Sequence, residues 1–212
     1  MAKKKEKRKK AVRKITVKKT GKAKTDKWKL KKDYTVVAPK LFEEKEITGV
    51  VATDEKQLLN RVIEYPYGNL SGKYDELSMY TTVKLRIVEI KGKTAHTRIT
   101  GTALASGFLK TLARRRRSVI NEFRDVKTKD NEIAKLKTTV FTQRKISTSA
   151  KTAIRRIISD YLVAKSAEMT LNELIDYILS NKLEKDTKKD LHKVAPIKKV
   201  FIHKIDVKNT VV

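Results

Sequence analysis

Met79-Tyr80-Thr81-Thr82-Val83-Lys84-Leu85-Arg86-Ile87-Val88-Glu89-Ile90 is the longest β-rich run in the chain. Thr81, Val83, Leu85 and Ile87 share one face, and Thr82, Lys84 and Arg86 the other, because successive side chains of an extended strand point to opposite sides. The phase falters at Val88 and Ile90, which predicts a bulge or burial on both faces. Lys91-Gly92-Lys93 then reads as a turn into a second strand over residues 94–100, closing a hairpin.

Working outward, the same short punctuated segments predict strands at residues 34–38, 47–52 and 61–65. Pro39 has no N–H to give to a ladder and ends the first, while Tyr65-Pro66-Tyr67-Gly68-Asn69 ends the third. On the other side, Ser106 can cap a helix whose Phe108, Leu109 and Leu112 fall at helical spacing, with Arg114, Arg115, Arg116 and Arg117 in its last turn. Strands at 119–128 and 133–141 then pair through Lys129-Asp130-Asn131-Glu132, with Asn131 taking the left-handed conformation of a tight turn.

From Ser147 the period becomes 3.6, with Ala150, Ile154, Ile157, Ile158, Tyr161 and Leu162 forming an apolar stripe. A second helix opens with Thr170-Leu171-Asn172-Glu173 as its capping box. A third runs over 184–193, Pro196 stops it, and a strand over 200–207 closes the chain. Many strands with one inserted helix, then a helical cluster, then a final strand make an α+β order. The expected architecture is an antiparallel, partly or fully closed β-barrel flanked by helices, with a disordered basic N-terminal tail.

Composition narrows the function. The 212 residues fit one domain with a proper core, yet 36% are charged and the net charge is +28, far from an ordinary soluble enzyme. A dense polyanion is the natural counterpart, and nucleic acid is the first candidate. No apolar stretch approaches the roughly 20 residues that span a bilayer, and the N-terminus lacks the apolar core of a secretory signal. With no cysteine, disulfides, cysteine-ligated zinc, iron–sulfur clusters and thiol catalysis are excluded, and a reducing cytosol is compatible.

More than half of the excess charge sits in residues 1–32, which hold 17 Lys and Arg against Glu6 and Asp26. Too little apolar area offsets the entropy of ordering them, so residues 1–32 are expected to be a basic tail and 33–212 a single α+β RNA-binding body. Lys3, Lys4, Lys5, Arg8, Lys9, Lys10, Arg13 and Lys14 read as an arm that threads along phosphates. The competing reading is a nuclear-targeting or solubilising tail. Trp28, set between Lys27 and Lys29, either stacks on a base or ribose or pins the tail to the body.

Within the body the run from Arg114 to Arg117, with Lys110 one turn earlier, is the sharpest feature. Four successive helical guanidiniums point around almost the whole circumference, so no single protein face can pair them all, and Arg suits phosphate through its planar fork. The bland alternative is a solvated helix end. Arg144, Lys145, Lys151 and Arg155, beside Arg156, form a second basic set at the start of the 3.6-period helix, where either phosphate or plain solvation answers them. Aromatics at 6% argue against a base-stacking reader. His96, His192 and His203 stand apart and no nucleophile elbow or phosphate cradle occurs, so neither catalysis, metal nor small-molecule cofactor is expected. A freestanding RNA chaperone or assembly factor is the runner-up; a transcription-associated DNA binder lacks a recognition helix and dimer symmetry.

Several segments together resemble one family: Lys27-Trp28-Lys29-Leu30-Lys31-Lys32, Tyr34-Thr35-Val36-Val37-Ala38-Pro39-Lys40-Leu41-Phe42, Arg61-Val62 with Glu64, Leu70 with Gly72, Thr97-Arg98-Ile99 with Gly101, Arg114-Arg115, Asp125-Val126 with Thr128-Lys129-Asp130, Ser147-Thr148-Ser149 leading to Ala153-Ile154-Arg155, and Pro196 with Val200. This is similar to the archaeal and eukaryotic small-subunit ribosomal protein family known as S-one-e or S-three-A-e, over nearly the whole chain, and the short length and the Ala-Pro-Lys-Leu-Phe segment look more like the archaeal branch than the longer eukaryotic one. Asp33, Asn60, Asn131 and Ala195 depart from the family pattern at turns and packing positions. The resemblance implies a non-catalytic constituent of the cytoplasmic small subunit, on its platform near the messenger exit, touching ribosomal RNA, neighbouring ribosomal proteins and messenger RNA, with no membrane partner and no small-molecule substrate.

Overall fold

The computed structural model describes Asp26 and residues 28–208. The expectations for the opening cations from Lys3 to Lys14, and for Lys27, lie outside the described residues. In chain order the elements are β1 (Lys32–Val37), β2 (Glu46–Ala52), β3 (Val62–Pro66), α1 (Tyr67–Ser71), α2 (Glu76–Tyr80), β4 (Thr81–Lys91) and β5 (Thr94–Leu104). They continue with α3 (Ser106–Leu112), β6 (Val119–Lys127), β7 (Ile133–Thr142), α4 (Thr148–Glu168), α5 (Leu171–Leu179), α6 (Lys182–Val194) and β8 (Ile197–Lys208).

The central hairpin forms as expected, except that Met79 and Tyr80 end the short helix α2 and the strand begins at Thr81. Its register shifts between Ile87 and Glu89, so Val88 is the extra residue of a bulge and faces solvent. Gly92 supplies the positive φ, 62°, that the turn requires.

β5 is the hub. It pairs with β4 along its length; on its other edge Thr94–His96 runs parallel to β1, and Gly101–Ala103 runs antiparallel to β8. The eight strands therefore form a mixed sheet of order β2-β1-β5-β8-β7-β6, with β3 and β4 attached at β5. This corrects the expected antiparallel barrel: the sheet is α+β in context but is not closed into a barrel. β5 gives one edge to two partners in succession, whereas closure needs one continuous stagger of strands. β2, β3 and β6 each pair with one strand only among the described residues.

A small cluster of Tyr34, Val36, Ala52, Leu58, Ile87 and Ala95 is buried against the β1–β5 half. The main core joins Leu136, Val140 and Ile205 of the sheet to Ile154, Ile158, Leu174 and Leu191 of the helices. On the opposite face α3 covers Phe141 and Phe201 with Phe108 and Leu112.

Local signals fix the helix starts. Ser147 Oγ accepts the Ala150 N–H at 3.4 Å, and Thr170 and Glu173 make the reciprocal capping box. α3 differs. Ser106 is its first residue and provides no cap, and extended backbone at Ala113 ends the helix after Leu112. The four arginines are thus not in its last turn. α6 starts at Lys182, two residues earlier than its pattern indicates, after Asn181 with φ 50°.

Candidate nucleic-acid interface

Between α3 and β6 the chain makes a turn in which the Arg117 N–H donates to the Arg114 carbonyl at 3.3 Å. Arg116 has φ 61°. Arg114, Arg115 and Arg116 are exposed and Arg117 is half-buried. The Arg114 Nε–H donates to the Thr111 carbonyl at 3.1 Å, satisfying one of the orphan acceptors at the end of α3. None of the four meets a carboxylate within salt-bridge distance among the described residues.

Immediately after the turn, Ser118 is tied to the far end of β7. The Ser118 N–H donates to Thr142 Oγ1 at 2.9 Å, and the Thr142 N–H donates to the Ser118 carbonyl at 3.1 Å. Ser118 Oγ in turn accepts the Ile146 N–H at 3.2 Å, while Thr142 Oγ1 lies 2.6 Å from the Arg144 carbonyl that accepts from it. Both side chains are buried, so these bonds are shielded from competing water. The knot brings the arginine turn and the exposed pair Arg144 and Lys145 to one region, although 27 residues separate Arg117 from Arg144 in sequence.

α4 begins three residues beyond Lys145. Its first turn carries no acid, leaving the positive end of the helix dipole unopposed, and Lys151 adds to that potential. Lys110 is exposed on α3. Arg155 is partly committed to the protein: its Nε–H donates to the Asn121 carbonyl at 3.3 Å and lies 3.9 Å from Glu122 Oε2. Arg156 is exposed. Apart from Arg155, these cations meet no carboxylate within salt-bridge distance among the described residues, and buried hydrogen bonds fix the backbone beside the arginine turn.

Trp28 lies apart from this surface, in a turn leading to β1. Its N–H donates to Asp26 Oδ1 at 3.1 Å, its ring is 71% exposed, and Lys31 Nζ lies 3.3 Å from the ring centroid. Lys29 is exposed beside it.

The Ser118–Thr142 knot escaped sequence reading. A signal did exist: a hairpin centred on residues 129–132 sets Val119 opposite Phe141, and one step further places 118 against 142. Also unanticipated, Tyr161 and Tyr177 share Asp186, whose Oδ2 accepts from their hydroxyls at 3.1 and 2.6 Å. Burial first, then Asp186, pushes the Tyr177 phenol far above its ordinary range, so it remains a neutral donor that ties α4, α5 and α6 together.

Among the described residues no three His, Asp or Glu side chains converge as metal ligands, and no helix is long and apolar enough to cross a membrane. His96, His192 and His203 lie on β5, α6 and β8. Burial, followed by Lys137 and Lys204, lowers the imidazole pKa of His203.

Comparison with known proteins agrees with the sequence pattern. The profile of the Ribosomal S3Ae family matches residues 18–210. The small ribosomal subunit protein eS1 of Desulfurococcus amylolyticus is 35% identical over 179 residues, covering 84% of this chain and 83% of that one. Its namesake from Sulfurisphaera tokodaii is also 35% identical, covering 84% and 92%. That of Saccharolobus islandicus is 33% identical over 182 residues, 86% of each chain.

Proposed function

Because the chain belongs to the ribosomal S3Ae family, as a member of the archaeal type and a non-enzymatic structural constituent of the small ribosomal subunit, we propose that the cationic surface around the Ser118–Thr142 knot is where it grips ribosomal RNA. Its partners are ribosomal RNA and other ribosomal proteins. The contacts run through Lys110, Arg114, Arg115, Arg116, Arg117, Arg144, Lys145 and Lys151, with Arg155 contributing from its partly committed position. The observation that carries the reading is the arginine turn, whose guanidiniums meet no carboxylate among the described residues, while buried hydrogen bonds hold the backbone just beyond it. An unpaired guanidinium on a fixed backbone suits a phosphate, because its planar fork is open to it and less backbone freedom is left to lose on binding.

Residues 1–32 act as a basic tail that extends this grip along the phosphate backbone, and 33–212 as the RNA-binding body. Trp28 and Lys29 supply a contact where tail and body meet, the exposure of the indole favouring a base or ribose partner. In this reading the protein sits on the platform near the messenger exit, with messenger RNA within reach, in the cytoplasm, as the family resemblance implies. The freestanding RNA chaperone is not favoured, since the curated relatives described above all carry the name of a subunit component.

The test is a salt titration of RNA binding by the purified full chain. Replacing Arg114, Arg115, Arg116 and Arg117 with Ala lowers affinity for a small-subunit RNA fragment and flattens log K against log salt by roughly 0.9 per lost duplex phosphate contact. Thermal unfolding stays nearly unchanged. Deleting residues 1–25 likewise costs affinity without unfolding the body. An arginine variant that unfolds while binding RNA as before would assign the turn to internal structure.

A further inference from the structure

β6, β7 and β8 turn one face to the helices and leave part of the other open. The register sets Phe123 opposite Lys137, and Lys137 opposite Lys204, on that open face. α3 covers the face at Phe141 and Phe201 but leaves Phe123 52% exposed. Lys137 Nζ lies 4.9 Å from the Phe123 ring centroid. The β7–β8 register shifts between Lys137 and Thr138, making His203 the extra residue of a bulge, and Lys137 and Lys204 lie close enough to bear on its imidazole.

The acids of this face are already engaged. Asp125 accepts from Lys208 at 2.7 Å, and Asp206 pairs with Lys204 at 2.6 Å. Lys135 and Lys137 have no carboxylate within salt-bridge distance among the described residues. The ring therefore stands in cationic surroundings, and the next exposed apolar side chain on its strand face, Val119, lies beyond Asn121. A protein partner would call for a contiguous apolar core. Lys137 already lies over one face of this isolated ring, so a nucleotide base fits either on the opposite face or by displacing that ammonium, with the phosphate on the ammonium groups.

We propose that Phe123 is a stacking platform for one unpaired RNA nucleotide, with Lys135 and Lys137 holding the adjoining phosphate. The proposal rests on the chain being an RNA binder and adds a second, chemically different contact: a single-strand contact on the open sheet face, apart from the phosphate grip of the arginine turn. Low overall aromatic content argues against a sheet that reads several bases, but one ring is enough for one nucleotide.

The experiment compares the purified full chain with Phe123→Leu, Phe123→Trp and the four-arginine alanine variant, using a 12-nucleotide mixed-sequence single-stranded RNA and a blunt RNA duplex of equal length as probes. Phe123→Leu keeps an apolar side chain but removes the π-face; it weakens single-strand binding by about tenfold with the salt slope unchanged, and leaves duplex binding alone. Phe123→Trp binds at least as well as the parent. Single-strand affinity that is unchanged in Phe123→Leu, or that falls equally for both probes, overturns the proposal. If the arginine variant loses duplex affinity while Phe123→Leu loses nothing, the stacking site alone falls. If the unaltered chain binds neither probe, the wider RNA-binding reading falls with it.

Discussion

Arg116 occupies a conformation that an L side chain enters at a cost of about 1 kcal/mol or more. Its φ of 61° resembles those of Asn60 at 65°, Asn131 at 59° and Asn181 at 50°, but asparagine bonds locally and tolerates this region, whereas arginine has no such compensation. Asn60 and Asn131, two of the departures from the family pattern, thus sit where the backbone needs positive φ. Arg116→Gly relieves the left-handed penalty while adding glycine's unfolded-state entropy, for a net gain of about 0.5 kcal/mol in urea unfolding. The same variant binds RNA more weakly with a flatter salt dependence. A variant both more stable and equally tight would show that the Arg116 side chain touches no phosphate. The sequence argument for this run assumed a helix, where four adjacent guanidiniums diverge by rotation. In the observed turn they lack carboxylate partners among the described residues, but not through rotation about a helix, and the salt titration tests whether phosphate answers them.

At the level of elements, legibility follows the sequence distance over which each signal acts. The starts of α4 and α5 were readable because a cap links residues three apart: Ser147 with Ala150, Thr170 with Glu173. Glu173 confirms the local character of the box, its carboxyl held below the usual carboxylate range mainly by the Thr170 backbone N–H. Thr170→Ala is expected to cost about 1 kcal/mol in urea unfolding and to leave RNA affinity as it was, since no cation of the arginine turn depends on it. RNA binding that falls in step with stability would couple α5 to the interface. α3 was read too long for the opposite reason. Ala113 and the arginines favour helix, but the ties from Ser118 to Thr142 and Ile146 fix the chain's position by residue 118. A helix continuing to Arg117 would rise only about 1.5 Å per residue, and the tertiary bonds prevail. The Tyr161–Tyr177–Asp186 network joins three helices, so no single stretch of sequence announces it.

For the whole molecule, alternation told which face of each strand is buried but not which strands would pair, and the barrel expectation failed on that distinction. Leu85 and Ile99 point inward as their periodicity requires. That β5 would take β1 and β8 in succession along one edge depends on pairings 59 and 101 to 105 residues apart in sequence, for which strand periodicity carries no code. The joint itself leaves one readable trace, Gly101. A Cβ there would overlap the Ile205 carbonyl oxygen, with the Asp206 backbone close behind, so the close approach of β5 to β8 is open only to glycine. Those strands meet at three register pairs, Gly101 with Asp206 through Ala103 with Lys204, and this short seam connects the β1–β4 half of the sheet to the half that carries the arginine turn and the knot. Gly101→Ala is expected to destabilise the protein by about 3 kcal/mol, because backbone rather than a flexible side chain has to move. Gly49→Ala on edge strand β2, where an added methyl meets nothing within 4 Å, supplies the control and should change stability by about 0.5 kcal/mol or less. Equal losses for the two variants in urea unfolding would mean that the seam yields at little cost. A larger loss at Gly101, with one cooperative transition retained, would show that the two halves of the sheet, joined by this seam and by the core they share, unfold as one body.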